Sequence, residues 1–294
     1  MPTVRRVAVL SSLGLLLLGN CGGPPQLTLP DTADGAANLF VAQLRVGNAH
    51  VVWDLLPPTY TKDLAEIVHT FGAKLDPELQ ASAFGVLDKV VQLMQSRKDW
   101  ILEGLRVHGE GLPVAAKLPH HWDGLLGLAK AVAGCGLRDP AQVRSLDVSG
   151  FLAGPGSAIL RAFRLSSPLF GNDPFAKLEK VSFTATPLAD GGASVQPMMD
   201  GKPDGRPDRF VRVDGHWLFA DMVKDWPDMM TEARQGIAAM DLAKGKPEAM
   251  AALAEVHGAL DRMLAARDWQ VFQREFTAAL QRAGGLDRVL GWMR

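Results

Sequence analysis

The clearest pattern of apolar and polar positions in this chain predicts a β-hairpin. Two β-prone runs, 210–213 and 216–219, flank the dipeptide Asp214-Gly215. A type I′ turn needs positive φ at both of its central positions, and Asp-Gly tolerates that backbone conformation. Pairing outward from the turn places Val213 opposite His216 and Phe210 opposite Phe219, so that successive pairs fall on opposite faces.

Both faces of the predicted hairpin are mainly apolar. One face carries Phe210, Arg212, Trp217 and Phe219, and the other carries Val211, Val213, His216 and Leu218. An antiparallel sheet that is open to water on one side shows one apolar and one polar face. We therefore expect helices to cover this sheet at least partly on each side.

A second hairpin is predicted directly before the first. Residues 181–186 alternate between apolar and polar types, the turn-forming residues 190–192 follow, and residues 193–199 return as a strand. Together the two hairpins predict a small four-stranded antiparallel meander over about residues 181–222. The segment 200–208 is expected to be a loop.

The remaining pattern is helical and defines an α+β, mostly helical fold class. Apolar residues recur at helical spacing over 36–56 and 61–74, and again from Asp76-Pro77-Glu78, where an N-cap aspartate precedes a proline at the first helical position. A further helix is expected after Asp139-Pro140 and a break at 150–155. Pro247 opens a long periodic helical segment near the end of the chain.

The first residues predict an export signal. Arg5 and Arg6 precede an apolar run at 7–18, which is too short to cross a bilayer comfortably and has the size of a signal-peptide core. We therefore predict a signal peptide at 1–20. The proline-rich segment 21–35 then suits a flexible tether.

The end of this run resembles bacterial lipoprotein precursors. Leu18, Gly19 and Cys21 match the lipobox of that family, whereas Asn20 stands where a smaller residue is usual. The resemblance implies that Cys21 becomes the lipidated N-terminus, and that the chain is anchored by lipid to a membrane facing the periplasm. The same resemblance implies that Gly22, in place of an acidic residue after the cysteine, directs the protein to the outer membrane and not the inner one. The alternative is a secreted protein in which Cys21 lies near the cleavage site by chance.

Composition narrows the function classes. The chain has 294 residues, 47% of them hydrophobic, and a net charge of -1, which is typical of an ordinary globular protein. Basic residues are scattered, so nucleic acid is not an expected partner. No cofactor motif appears. The adjacent His120 and His121 point about 100° apart on a helix and do not predict a metal site, and Cys135 is expected to be a small buried residue.

Two segments together resemble the cone-shaped NTF2-like fold, and in particular its exported lipoprotein members. These segments are 40–56, similar to the opening helix of that family, and 210–219, similar to its closing strands. The resemblance implies an α+β domain at 36–228 with a helical insertion, followed by a C-terminal helical region at 229–294. The alternative is a helical α+β protein unrelated to that family, and the fold by itself supplies no function.

Candidate functional residues lie on the predicted hairpin. His216 is the best candidate for a catalytic or ligand-binding group, with Asp214 or Asp221 as a partner, and Arg212 opposite Trp217 predicts a cation-π pair. The favoured interpretation is a non-catalytic envelope protein that binds a protein or small ligand. The alternative is an NTF2-like small-ligand-binding protein or enzyme with a pocket formed by Arg212, His216 and Trp217.

Overall fold

The computed structural model describes residues 27–108, 113–170, 173–241 and 244–282 and confirms an α+β, mostly helical protein with a small antiparallel sheet. The helices before the sheet are α1 (Ala33–Arg45), α2 (Val51–Asp54), α3 (Pro58–Lys74), α4 (Pro77–Ser96), α5 (Lys98–His108), α6 (Pro113–Ala133), α7 (Pro140–Arg144), α8 (Val148–Phe151), α9 (Ser157–Ser166) and α10 (Pro174–Leu178). The helices after the sheet are α11 (Ala220–Ala239), α12 (Lys246–Ala265) and α13 (Trp269–Arg282).

The sheet contains the four predicted strands and one short addition. The strands are β1 (Val181–Pro187), β2 (Ala193–Met199), β3 (Lys202–Pro203), β4 (Asp208–Val213) and β5 (His216–Phe219). The hydrogen-bonded order is β1-β2-β4-β5, and the two-residue β3 pairs with β2. The predicted meander is therefore confirmed, and part of the predicted loop pairs back onto the sheet.

The hairpin has the predicted turn and register. Asp214 and Gly215 have φ values of 49° and 86°, as a type I′ turn requires. Val213 pairs with His216, and the pairing continues outward to Phe210 and Phe219. The local dipeptide therefore determined which side chains share a face.

Helices pack on both faces of the sheet, as the two apolar faces predicted. On one face, Phe210 and Trp217 join a cluster with Ala33 and Ala37 of α1. On the other face, Leu218 packs with Tyr60, Trp226 and Met230 of α3 and α11, and Val213 packs against this cluster. The sheet thus lies between α1 on one side and the α3/α11 pair on the other.

Helix α1 also protects the outer edge of the sheet. The Asn38 side chain accepts a hydrogen bond from the Phe183 backbone N–H and donates one to the Phe183 carbonyl, both at 2.9 Å. Arg45 donates to the carbonyl oxygens of Leu178 and Val181. The contacts with Phe183 and Val181 satisfy backbone atoms that an edge strand leaves unpaired, so they reduce the exposed edge of β1, whereas the contact with Leu178 satisfies a carbonyl at the end of α10.

A separate hydrophobic core lies among the helices. It is formed by residues of α4, α5, α6, α12 and α13 and the segments beside them: Leu93, Met94, Ile101, Leu118, Trp122, Leu169, Ala259, Leu260, Met263, Ala266 and Phe272. Phe272 is fully buried and lies near the rings of Trp100, Trp269 and Phe276. The helices that contribute to this core are therefore held together by contacts that do not involve the clusters on the sheet.

The predicted break at 150–155 is wrong. The helical path continues from α8 through a π-helical turn, Leu152–Gly156, into α9. Pro155 has no backbone N–H, and a π-helical turn is one way in which a helix accommodates a local departure from regular bonding. The helix that starts at Pro140 instead ends at Arg144, before this segment.

One of the remaining predicted helix boundaries is confirmed, and others lie at different positions from those expected. The N-cap at Asp76 is confirmed, because its carboxylate accepts hydrogen bonds from the Glu78 and Leu79 N–H groups, both at 3.0 Å. The long C-terminal segment is divided into α12 and α13 by residues 266–268. Helix α11 runs through positions 228 and 229, where the sequence suggested a domain boundary. Among the described residues, no helix is long and apolar enough to cross a membrane.

Candidate functional site

Arg212 and Trp217 form the predicted cation-π pair, and both also contact the segment before α1. The Arg212 guanidinium lies 6.0 Å from the Trp217 ring centre. The Trp217 indole N–H donates to the Asp31 carbonyl at 3.0 Å, and the Arg212 guanidinium lies 3.7 Å from the Asp31 carboxylate. Asp31, in the segment before α1, therefore contacts the Arg212–Trp217 pair that was predicted to line a pocket.

In the described part of the chain, His216 forms no hydrogen bond with the carboxylates proposed as its partners. Its Nδ1 atom is buried and has no hydrogen-bond partner among the described residues. No hydrogen bond joins its ring to Asp214 or Asp221 in the described ranges. Since a general base needs an orienting partner or a substrate within hydrogen-bond reach, this geometry favours a structural role for His216.

The face of the sheet that carries His216 is closed by a polar link between α3 and α11. The Asp63 carboxylate accepts hydrogen bonds from the Trp226 indole at 2.9 Å and from Arg234 at 2.8 Å. Trp226 also stacks on Tyr60, with ring centres 4.2 Å apart. These contacts hold the two helices together above Val213 and Leu218, so the sheet is a scaffold there.

The same link changes the acidity of Asp63. The hydrogen bond from the Trp226 indole lowers the pKa of the Asp63 carboxyl, the hydrogen bond and charge of Arg234 lower it further, and burial partly opposes them. Burial raises the pKa of the Tyr60 hydroxyl, and the negative charges of Asp214 and Asp63 add to that effect. The ionised form of Asp63 therefore stabilises the contact between the helices.

An apolar groove lies between α3, α4 and α7. It has a volume of about 390 Å³, within the range of about 300–1,000 Å³ that is typical of ligand sites. Its lining is mostly apolar and consists of Phe71, Leu75, Asp76, Leu79, Gln80, Ala83, Phe84, Leu137 and Val143. The Phe71 side chain is 37% exposed at this groove.

A polar arrangement that sequence reasoning missed lies where α2 meets α8. His50 Nδ1 is 2.9 Å from a carboxylate oxygen of Asp54, and His50 Nε2 is 2.8 Å from the Ser149 hydroxyl. His50 and Asp54 stand four positions apart, so their proximity was visible as a helical spacing. Ser149 is 99 positions from His50, and nothing in the sequence indicated that contact.

The backbone around His50 is held firmly against α8 and α9. The His50 N–H donates to the Asn48 side chain at 3.0 Å, and the Ala49 N–H donates to the Ser157 hydroxyl at 2.9 Å. Gly47, with φ of 75°, lies so close to Arg161 that a Cβ atom there would overlap its side chain. These contacts set the position of the imidazole relative to Ser149.

The two cysteines have different standing. Cys21, the predicted lipidation site, lies outside the described residues. Cys135 is buried and forms no disulfide within the described residues, and its burial confirms the prediction of a small buried residue. His120 and His121 lie on α6, and within the described ranges no cluster of three or more histidine, cysteine or acidic side chains is arranged to hold a metal ion.

Comparison of the chain with models of known protein families, with curated proteins and with solved structures found no match. The assignment of function therefore depends on the residues and geometry described above.

Proposed function

We propose that this chain is an exported lipoprotein, anchored through Cys21, whose helical domain binds a protein partner of the cell envelope without catalysing a reaction on it. The signal-like segment at 1–20 and the lipobox-like residues before Cys21 support export and anchoring. Gly22 supports the outer membrane as the destination. The tether at 21–35 would hold the domain away from the lipid surface.

The observation that carries the binding role is the open apolar groove beside Phe71 and Leu79. The clusters of Phe210 and Leu218 cover much of the two sheet faces, although Phe219 remains 46% exposed, and the groove is lined mostly by apolar side chains, with Phe71 37% exposed. Binding sites on proteins are typically concave and lined mainly by apolar and aromatic side chains. We therefore place the binding surface between α3, α4 and α7 rather than at His216.

The chemistry of the groove favours an apolar segment of a protein as the occupant. Phe71 and Phe84 supply large apolar contact areas, and aromatic side chains are enriched at protein interfaces. Asp76 and Gln80 supply polar groups among the apolar ones. Gln80 already donates to the Leu137 carbonyl, while its side-chain carbonyl oxygen is buried and has no hydrogen-bond partner in the part of the chain that the structure describes. A partner that supplies a hydrogen-bond donor would satisfy that oxygen after a small rearrangement.

Affinity capture from envelope extracts tests this proposal. The lipidated full-length chain is compared with a Phe71→Glu/Ala83→Glu double variant, in which two exposed groove positions gain charge, and with Val256→Glu as the matched control. Val256 is 44% exposed on α12, away from the groove lining. We expect the same partner on the wild type and the control, and its loss from the double variant.

A partner that is retained equally by all three proteins would contradict the groove assignment, and the absence of any specific partner would contradict the binding role. The anchor is checked in the same cells by fractionation. Cys21→Ala should move the chain from the membrane pellet to the soluble fraction, and wild-type chain found unmodified at Cys21 would contradict lipidation.

A further inference from the structure

A continuous series of hydrogen bonds joins the side chains of Ser149, His50 and Asp54. In this series Ser149 is the nucleophile, His50 is the base, and Asp54 is the carboxylate that orients the base. The distances are 2.8 Å from the Ser149 hydroxyl to His50 Nε2 and 2.9 Å from His50 Nδ1 to Asp54. A nucleophile within reach of a base that is itself oriented by a third group is the arrangement that activates serine for attack. From this geometry we infer that the chain has a second activity, the hydrolysis of uncharged carboxylic esters through Ser149.

The protonation pattern of the series is set by the carboxylate. An ionised carboxylate accepts hydrogen bonds only, so the contact with Asp54 places the proton of neutral His50 on Nδ1. The lone pair of Nε2 then faces the Ser149 hydroxyl, which donates to it. This is the tautomer in which an imidazole can accept the proton of an attacking serine.

The contact between His50 and Asp54 is largely shielded from solvent. Their side chains are 9% and 12% exposed, so water competes weakly for their hydrogen bond. Ser149 is half-buried.

A second serine–histidine pair in the same chain shows why the contact alone is insufficient. The Ser82 hydroxyl lies 3.3 Å from His257 Nε2, but that same nitrogen lies 3.0 Å from the Ser82 carbonyl oxygen. A carbonyl oxygen cannot donate, so Nε2 of neutral His257 carries the proton and donates it. His257 in this state cannot accept the Ser82 proton, which makes Ser82 a matched control.

The local charges select the class of substrate. The Asp147 carboxylate lies directly beside Gly150, so close that a Cβ atom at Gly150 would overlap it. A negative charge within two residues of Ser149 disfavours anionic substrates. An ester is favoured over an amide because an alcohol departs more readily than an amine.

The reaction balances in two steps. Ser149 Oγ forms a bond to the acyl carbon and gives its proton to His50 Nε2, which passes that proton to the departing alcohol as the ester C–O bond breaks. Water then gives a proton to His50 Nε2 and adds to the acyl carbon. The Oγ–acyl bond breaks, Ser149 takes the proton back, and a carboxylic acid is released. Asp54 acts as a positioning residue that holds the imidazole throughout.

Covalent labelling of the full chain with a fluorophosphonate probe, followed by peptide mass spectrometry, tests the inference. We expect the label on Ser149, its loss in Ser149→Ala, and unchanged labelling in Ser82→Ala. The isosteric variant Asp54→Asn should slow labelling by about 10²–10⁴-fold, the contribution typical of a positioned base. With p-nitrophenyl butyrate as substrate, this variant should lower kcat and leave KM unchanged.

Circular dichroism of each variant distinguishes lost reactivity from lost folding. A folded wild-type chain that takes no label, a label that maps to a residue other than Ser149, or a folded Asp54→Asn variant that reacts at the wild-type rate would each overturn the inference. These outcomes leave the groove proposal intact, because the groove is tested with other residues and by partner capture.

Discussion

The hairpin contains His216, and the junction between α2 and α8 contains His50. The two histidines differ in the hydrogen-bond partners of their ring nitrogens. His216 lies in the most strongly predicted element, yet its buried Nδ1 atom has no partner among the described residues. His50 lies in the turn directly before the short helix α2, and both of its ring nitrogens have polar partners within 3 Å. A sequence pattern that strongly predicts local structure therefore does not by itself predict a reactive site.

The physical reason lies in how each region is assembled. In the hairpin, strand pairing uses the backbone groups, and apolar packing covers much of the two faces, although Phe219 remains 46% exposed. At the junction, polar side chains from distant segments meet and satisfy each other inside the protein. Buried polar groups need such partners, so a polar series persists only where the fold provides all of its members.

The largest expected effect comes from replacing each of the two histidines with glutamine in a separate variant. His50→Gln should reduce fluorophosphonate labelling of Ser149 by about 10²–10⁴-fold, because the glutamine amide cannot serve as the base. His216→Gln should label at the wild-type rate. The measurement is the labelling rate on variants that retain the wild-type circular dichroism spectrum. Equal loss in both variants would break the distinction between the two regions.

A large effect on stability is expected from the hairpin itself. Leu218→Ala should lower the free energy of unfolding by about 2–5 kcal/mol, the usual cost of truncating a buried leucine. Thr184→Ala, an exposed position on β1, should change it by less than about 0.5 kcal/mol. Urea unfolding measures both. A loss near zero for Leu218→Ala would show that α3 and α11 do not pack on the sheet as described.

The smallest expected effect is a change in the pH dependence of stability. The pKa of Asp63 is lowered in the folded state, so its contribution is present above the unfolded value of about 3.9 and is lost as pH falls through the folded value below it. Asp63→Asn should therefore destabilise the protein at pH 6 and converge with the wild type in strong acid. Thermal unfolding across this range measures the difference.

A second variant, at the Asp63 partner Arg234, tests the same pH dependence of stability. Arg234→Gln keeps the indole hydrogen bond to Asp63 and removes the cation, so it should reproduce part of the same change. If Asp63→Asn instead showed a constant difference from the wild type at every pH, its carboxylate would contribute nothing through ionisation.

Local features of the fold were predictable because short segments encode them. Asp214-Gly215 predicted the turn and the pairing of Val213 with His216, and Asp76-Pro77 predicted the start of α4. The expected break at 150–155 was wrong because composition alone does not reveal a π-helical turn that carries a proline inside a continuing helix. The candidate pocket at Arg212, His216 and Trp217 depended on open space, which the pattern of residues could not establish.

Sequence alone determined the class of the fold, the register of the hairpin, the division of its side chains between two faces, and the expectation that both faces are covered. Tertiary structure decided which helices cover them, that the Asp31 segment engages Arg212 and Trp217, and that Ser149 reaches His50. Turn geometry and the alternation of a strand depend on a few neighbouring residues. The meeting of residues 99 positions apart depends on the packing of every helix between them.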